Sequence, residues 1–284
     1  MAISKVGVLG CGLMGGGIAQ VSAQAGFPTL VREPGGALVE KGLKSVTSSM
    51  AKGVERGKLS QEEMDKALAN IKGTTELKEL SECDIVIEAI PEEIELKKEN
   101  LKLLDSFLKP SAIIASNTSS LSITELAMAT GRPERVLGLH FFSPVPLMKL
   151  VEVVRTLMTA EDAFKSAWDF AVSLGKEPVA CKDSTGFIVN RLLVPYLLDA
   201  IRAYEEGAGS LEDIDKGMKL GCGYPMGPFT LMDMVGLDIT YNVANIMYEE
   251  FRESRFAPPP LLKRMVAAGR LGRKTGRGFY EYGK

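Results

Sequence analysis

The amino-acid sequence predicts an α/β protein in two parts, a doubly wound, mostly parallel sheet followed by a smaller all-helical C-terminal domain. Two observations support the sheet: short apolar runs alternate with helix-like segments as far as residue 182, and a glycine-rich turn separates the first run from the first helix. After Gly186 the strand-like runs stop, and helical patterns fill the remainder. We therefore expect domains at residues 1–184 and 185–284.

Length, charge and cysteine usage narrow the classes of protein. A chain of 284 residues has room for one or two domains. A formal net charge of -2 makes duplex nucleic acid an unfavourable partner. The cysteines are dispersed and the chain has one histidine, a pattern that predicts neither a zinc site nor disulfides: Cys11, Cys83, Cys181 and Cys222. We expect small buried thiols in the reducing cytoplasm, and no bound metal.

Residues 6–31 open the sheet. They carry no charge and are long enough to cross a membrane. Seven glycines argue against a membrane helix, and the segment lacks the cleavage site of a signal peptide. An apolar run to Leu9, a break at Gly10–Gly12 and helical spacing after Leu13 predict a strand, a tight turn and a helix.

The turn has the spacing Gly10-x-Gly12-x-x-Gly15 of a Rossmann-type dinucleotide site. Gly10 permits the turn, Gly12 admits a pyrophosphate, and Gly15 allows the helix to pack against the strand. The alternative is a merely flexible glycine loop. Glu33 closes the next apolar run, where an acid accepts hydrogen bonds from a ribose and disfavours the 2'-phosphate of NADP. Arg32 beside it favours that phosphate, so NADP stays an alternative to NAD.

The remaining elements follow in order. The pattern of residues 37–71 predicts a pair of helices that extends partly away from the sheet, with a capping box at Ser60-x-x-Glu63. Its Lys52 could meet an anionic ligand or simply face solvent. Strands are expected at 84–90, 112–116, 136–142, 149–154 and 178–181, and helices at 94–108, after Ser122, and at 161–174. In the second domain, the sequence pattern predicts helices at 187–206, 211–220 and 228–253, followed by a break at the prolines 258–260.

His140 is the only histidine and the candidate general base for an alcohol oxidation. It lies in a strand-like run just before Ser143, where a strand would emerge at the ligand-binding edge of the sheet. A buried core histidine is the alternative. Glu152 is the one acid inside the apolar strand Leu150–Val154, and pairing with His140 would offset its burial. If that strand has an exposed face, Glu152 is an ordinary polar residue.

Two further polar residues are candidates for orienting a substrate. Ser119 follows the strand at 112–116, and its hydroxyl could bind a substrate oxygen or merely cap a turn. Asn190 lies on the first helix of the second domain, where it could donate to a carbonyl or bond between helices. A serine hydrolase is disfavoured, because the chain has no G-x-S-x-G elbow.

Taken together, the motifs resemble those of the 3-hydroxyacyl-CoA dehydrogenases along essentially the whole chain, and the short single-function form is similar to bacterial 3-hydroxybutyryl-CoA dehydrogenases. They are Gly-Cys-Gly-Leu-Met-Gly at 10–15, Ser-Asn-Thr-Ser-Ser at 116–120, Gly-Leu-His-Phe-Phe at 138–142, Met-Lys-Leu-Val-Glu-Val-Val at 148–154, Asp-Ser-Thr-Gly-Phe-Ile-Val-Asn-Arg at 183–191 and Gly-Tyr-Pro-Met-Gly-Pro-Phe at 223–229. The resemblance implies an oxidoreductase that uses NAD, an acyl-CoA substrate, a homodimer and a helical domain that binds substrate.

The resemblance also implies site residues. His140 would take the 3-hydroxyl proton, Glu152 would balance the imidazolium, and Ser119 and Asn190 would bind substrate oxygens. The implied cofactor contacts are Gly10, Gly12, Leu13, Met14, Gly15, Glu33, Glu92, Lys97, Ser119, Ser143 and Lys274. The helical pair at 37–71 is similar to a segment of the family that meets coenzyme A, which makes Lys52 a candidate contact for it.

The chain departs from the family pattern at three places. Glu33 stands where aspartate is usual, Ser143 replaces an asparagine, and Pro34-Gly35-Gly36 is unusual. These departures bear on cofactor preference more than on the reaction. Two other functions stay open: a hydroxyacid or sugar-acid dehydrogenase that does not use coenzyme A, and a dinucleotide-binding protein without turnover.

Overall fold

The computed structural model describes residues 3–283, which divide into two compact units, one up to Ser184 and one from Thr185. The first unit contains an eight-stranded sheet and the second is helical, so the predicted fold class is confirmed. In the described range, no helix is both long and apolar enough to cross a membrane.

The sheet has the strand order β3-β2-β1-β4-β5-β6-β7-β8. Its strands are β1 (Val6–Leu9), β2 (Thr29–Arg32), β3 (Ile71–Thr74), β4 (Ile85–Glu88), β5 (Ile113–Ser116), β6 (Val136–Phe141), β7 (Leu150–Arg155) and β8 (Glu177–Lys182). The chain builds outward from β1 to β3 and then returns to place β4 on the other side of β1. This reversal between β1 and β4 opens the crevice in which doubly wound sheets bind ligands.

Apolar side chains cover both faces of the central strands. All four residues of β1, β4 and β5 are buried, as expected for parallel strands between two helical layers. The helices of this unit are α1 (Leu13–Gln24), α2 (Gly36–Glu55), α3 (Gln61–Ala69), α4 (Ile94–Asp105), α5 (Ile123–Ala127) and α6 (Glu161–Ser173). The predicted capping box is present at Ser60, and the side chain of Ser122 accepts from the amide of Glu125.

One feature of the sheet differs from the sequence prediction, and one was left open by it. The helical segment expected to reach residue 71 ends at Ala69, and Ile71–Thr74 form the edge strand β3. The sequence gives no clear strand pattern here, because β3 is short and only one of its residues is buried. In addition, β7 runs antiparallel to β6, since the short connection at 142–149 contains no crossover helix.

The second unit consists of α7 (Val189–Glu205), α8 (Leu211–Cys222), α9 (Pro228–Val235), α10 (Leu237–Phe251) and α11 (Pro260–Ala267). The single helix predicted at 228–253 is wrong: it is two helices, because Gly236 adopts a φ of 111° that a helix does not permit. The proline break at 258–260 leads into α11, where Pro260 takes the first helical position. Cys222 is exposed, unlike the other three cysteines, which are buried as expected.

Candidate active site

The glycine loop between β1 and α1 has the shape that a pyrophosphate needs. Gly10 has a φ of 96°, and a Cβ there would lie 2.7 Å from the carbonyl oxygen of Ala89. A Cβ on Gly15 would lie 2.0 Å from the carbonyl oxygen of Gly10, so only glycine lets α1 start this close to the loop. A Cβ on Gly12 would meet nothing within 4 Å. The first turn of α1 therefore faces open space in which backbone N–H groups can bind phosphate oxygens.

Glu33 follows β2 and connects this strand to the glycine loop. Its Oε1 accepts a hydrogen bond of 2.5 Å from the amide of Cys11. Burial, and secondarily the Glu33 carboxylate, raise the pKa of the Cys11 thiol to about 11, which keeps this thiol protonated and unreactive near neutral pH. Arg32 instead donates from Nε to the carbonyl oxygen of Thr75, 3.3 Å away. In this pair, the carboxylate is thus the charged group bonded to the cofactor loop.

His140 and Glu152 meet across the antiparallel pair β6–β7. The register places the two residues directly opposite each other, and both are buried. Nδ1 of His140 lies 2.7 Å from Oε2 of Glu152. A carboxylate at this distance holds a proton on Nδ1, which leaves Nε2 as the basic nitrogen of the neutral ring. The ring of Phe142 lies beside the imidazole, with ring centroids 4.5 Å apart.

The 116–120 loop at the carboxyl end of β5 is organised by Glu92. Oε1 of Glu92 accepts hydrogen bonds from the amide of Ser119 at 3.2 Å and from the hydroxyls of Thr118 and Ser120. Burial alone would raise the pKa of the Glu92 carboxyl, but the Lys97 ammonium and these donors outweigh burial and lower it. Glu92 is therefore a carboxylate at neutral pH, and it fixes the backbone that carries Ser119.

Lys97 lies beneath Glu92 and is only 1% exposed. Its Nζ is 2.6 Å from Oε1 of Glu88, 3.2 Å from Oε2 of Glu92 and 3.1 Å from the carbonyl oxygen of Ile90. These three oxygens match the three hydrogens of the ammonium group. Lys97 thus supports Glu92, and its expected contact with the cofactor stays a prediction.

Sequence reasoning missed two residues of this site. Glu88 is fully buried at the end of β4, where it binds Lys97 and accepts from the Ser116 hydroxyl at 2.5 Å. The signal was available, since Glu88 is an acid inside an apolar run, like Glu152. Asn117 accepts a 2.9 Å hydrogen bond from the amide of Phe141 and so fixes the end of β6 beside His140. No periodicity could reveal that contact, because it joins a loop residue to the end of a strand 24 positions further along the chain.

The remaining candidates lie in different parts of the chain. Leu13 and Ser143 are exposed, Met14 is half-buried, and Lys52 is exposed near the end of α2. In the second unit, Asn190 is half-buried in the first turn of α7. Lys274 pairs with Asp238 at 2.6 Å, near the start of α10.

Comparisons with known proteins agree over the length of the chain. Residues 5–184 match the NAD-binding domain of 3-hydroxyacyl-CoA dehydrogenase, and residues 186–282 match the C-terminal domain of the same enzyme. A 3-hydroxybutyryl-CoA dehydrogenase of Mycobacterium tuberculosis is 50% identical over 283 residues, covering 99% of each chain. The mitochondrial hydroxyacyl-coenzyme A dehydrogenase of Sus scrofa is 48% identical over 99% of this chain and 91% of its own.

Solved structures show the same similarity. The crystal structure of M. tuberculosis FadB2 superposes with a TM-score of 0.98 at 50% identity, and that of (S)-3-hydroxybutyryl-CoA dehydrogenase PaaH1 from Ralstonia eutropha superposes with a TM-score of 0.96 at 46% identity; each comparison covers 100% of both chains. The resemblance drawn from the motifs is confirmed. This chain belongs to the 3-hydroxyacyl-CoA dehydrogenase family of NAD-dependent oxidoreductases, with an N-terminal domain that binds NAD.

Proposed function

We propose that this protein catalyses the reversible, NAD-dependent oxidation of an L-3-hydroxyacyl-CoA to the 3-ketoacyl-CoA. The observation that carries the proposal is the buried His140–Glu152 pair in the sheet that also bears the glycine loop. The bacterial relatives named above support 3-hydroxybutyryl-CoA and acetoacetyl-CoA as the substrate pair. A role in fatty acid or butyrate metabolism follows from those substrates.

In this mechanism His140 is the general base. Its Nε2 accepts the 3-hydroxyl proton, while Glu152 keeps the ring oriented through Nδ1 and stabilises the positive charge that develops on it. Bound NAD would supply the acceptor for the hydride that leaves C3. Ser119 and Asn190 bind the hydroxyl and carbonyl oxygens of the substrate. In the reverse direction, the imidazolium of His140 returns the proton to the ketone oxygen.

The cofactor contacts form two groups. Backbone at the glycine loop and the first turn of α1 binds the pyrophosphate: Gly10, Gly12, Leu13, Met14 and Gly15. Glu33 binds the adenosine ribose and disfavours a 2'-phosphate, which explains the use of NAD rather than NADP. Glu92, Lys97, Ser119 and Ser143 in the first unit are further candidate contacts of the cofactor, and Lys274 is a candidate in the second unit.

We further infer that the second unit binds substrate and carries the surface of a homodimer. Exposed apolar side chains on that unit support a protein partner of the same kind, among them Leu192 at 71% and Leu220 at 75% exposure. Lys52 on α2 is a candidate contact for the phosphates of coenzyme A, because it is an exposed cation in the unit that also contains the glycine loop. A cytoplasmic location agrees with four cysteines that form no disulfide.

The test is acetoacetyl-CoA reduction by the purified protein, followed through the loss of NADH absorbance. Turnover of NADH should exceed that of NADPH, and the coenzyme A thioester should be preferred to free acetoacetate. His140→Gln should lower kcat by about 10²-fold or more, the usual contribution of general acid–base catalysis. NADH affinity, measured by fluorescence titration, should stay the same. A loss of only a few-fold would remove His140 as the base, and a preference for free hydroxyacids would identify a dehydrogenase of another substrate class.

A further inference from the structure

Lys176 is a buried lysine that the mechanism above does not use. It precedes β8, is 7% exposed, and within residues 3–283 its ammonium makes no ion pair with a carboxylate. Its Nζ donates instead to two backbone carbonyl oxygens, that of Val145 at 2.5 Å and that of Met148 at 2.8 Å. Burial lowers the pKa of the Lys176 ammonium, so burying this charge is unfavourable and calls for a compensating role.

Both carbonyls belong to residues 143–148, which we call the 143–148 loop. It forms the central part of the connection between β6, which carries His140, and β7, which carries Glu152. Within the loop, the amides of Leu147 and Met148 both donate to the carbonyl oxygen of Pro144, at 2.9 and 3.0 Å. This turn directs two further carbonyls inward, where they need a donor.

The same loop packs against the dinucleotide-binding helix. Val145 is 2% exposed, and a Cβ built on Gly17 of α1 would lie only 2.8 Å from Cβ of Val145. The loop therefore lies between α1 on one side and the Lys176 ammonium on the other. Ser143 lies two residues before Val145 in this loop, so a displacement at either contact should also move Ser143.

We propose that Lys176 is a positioning residue for the cofactor: its ammonium holds the 143–148 loop against α1 and so sets Ser143 at the nicotinamide end. The part that concerns Ser143 rests on the proposed function. The long flexible stem of lysine reaches two carbonyls at once, which an apolar residue would leave without donors. The pairing also explains why a cation is buried here without an acid.

The test compares Lys176→Met with Lys149→Met as the matched control. Lys149 directly follows the loop, and its side chain is 77% exposed, with Nζ 3.5 Å from Oε1 of Glu177 and no bond to the carbonyls of Val145 or Met148. In Lys176→Met, amide hydrogen exchange at Leu147 and Met148 should accelerate, and the Kd for NADH should rise by at least about tenfold, because both charge-assisted hydrogen bonds to the loop are lost. At saturating NADH, kcat should change by less than about threefold, because bound cofactor restores the loop. Lys149→Met should match the wild type in all three measurements.

If the amides of Leu147 and Met148 exchange at the wild-type rate in a folded Lys176→Met protein, Lys176 does not hold the 143–148 loop. If these amides exchange faster but the Kd for NADH is unchanged, Lys176 is not a positioning residue for the cofactor. If Lys176→Met does not fold, Lys176→Gln removes the charge but keeps an uncharged NH2 donor group on a shorter side chain. It should then show the same changes at smaller amplitude, and wild-type values in that variant would equally refute the proposal. Exchange and NADH binding do not depend on acetoacetyl-CoA turnover, so the inference can fail while the proposed function holds, or the reverse.

Discussion

Replacement of Glu152 by glutamine isolates the charge of the His140–Glu152 pair. The two side chains are buried and their hydrogen-bonded atoms, Nδ1 of His140 and Oε2 of Glu152, lie 2.7 Å apart, so the substitution keeps the shape of the site while removing the negative charge. A hydrogen bond to a charged group contributes about 1.5–3 kcal/mol, and losing it from the imidazolium state alone costs about 10- to 150-fold in rate. The amide can also donate to Nδ1, which would place the ring proton on Nε2 and block the base. We therefore expect kcat to fall by at least about 10²-fold.

Steady-state reduction of acetoacetyl-CoA measures this effect, with NADH fluorescence titration as the control for cofactor binding. Glu152→Asp is the matched variant, because it keeps the charge and withdraws it by one methylene. It should retain more activity than Glu152→Gln. A Glu152→Gln protein within threefold of wild-type kcat, or one that falls no further than Glu152→Asp, would refute the argument that the charge of Glu152 assists the proton transfer.

Two other predictions concern separate parts of the first unit. Glu33→Ser removes the carboxylate and leaves Arg32, so kcat/KM for NADPH relative to NADH should rise by about 10²-fold; an unchanged ratio would show that Glu33 does not select the cofactor. Burial alone would raise the pKa of Asp84, but donors from Lys109 and Ser4 outweigh it and hold the pKa well below 3.8. A carboxylate whose pKa is lower in the folded than in the unfolded state stabilises the fold at pH values above the unfolded-state pKa. This stabilisation is lost as the pH falls towards the folded-state pKa. Asp84→Asn should therefore have a lower urea midpoint than wild type at about pH 7. The difference in urea midpoint between wild type and Asp84→Asn should become smaller at about pH 3. An equal difference at both pH values would contradict the lowered pKa of Asp84.

Local patterns were sufficient to predict the first strand, turn and helix and the helix caps. These features depend on neighbouring residues: the backbone conformation at Gly10, the close start of α1 at Gly15, and the side-chain oxygen of Ser60 three residues before Glu63. The same is true of the alternation of strands and helices that predicted the doubly wound sheet. Structural features that are determined by residues close together in the chain can be predicted from local sequence patterns.

Elements at the boundary of the fold were harder to predict. The edge strand β3 has too few buried residues to show a period, and the break between α9 and α10 occurs at a glycine that a helix can in principle contain. Only the packed chain decides whether such a glycine takes a positive φ. The antiparallel direction of β7 likewise depends on the path of the connection, which residue types do not encode.

For the site, the sequence by itself determined which groups are chemically able to react: one histidine, an acid isolated in an apolar strand, and a glycine loop with an acid after the next strand. The tertiary structure decided which of these groups touch. It paired His140 with Glu152 through strand register, buried Lys97 beneath Glu92, and directed Lys176 to backbone carbonyls. Contacts of this last kind leave no pattern in the sequence, because every residue offers the same carbonyl and only the folded path of the chain brings it to a donor.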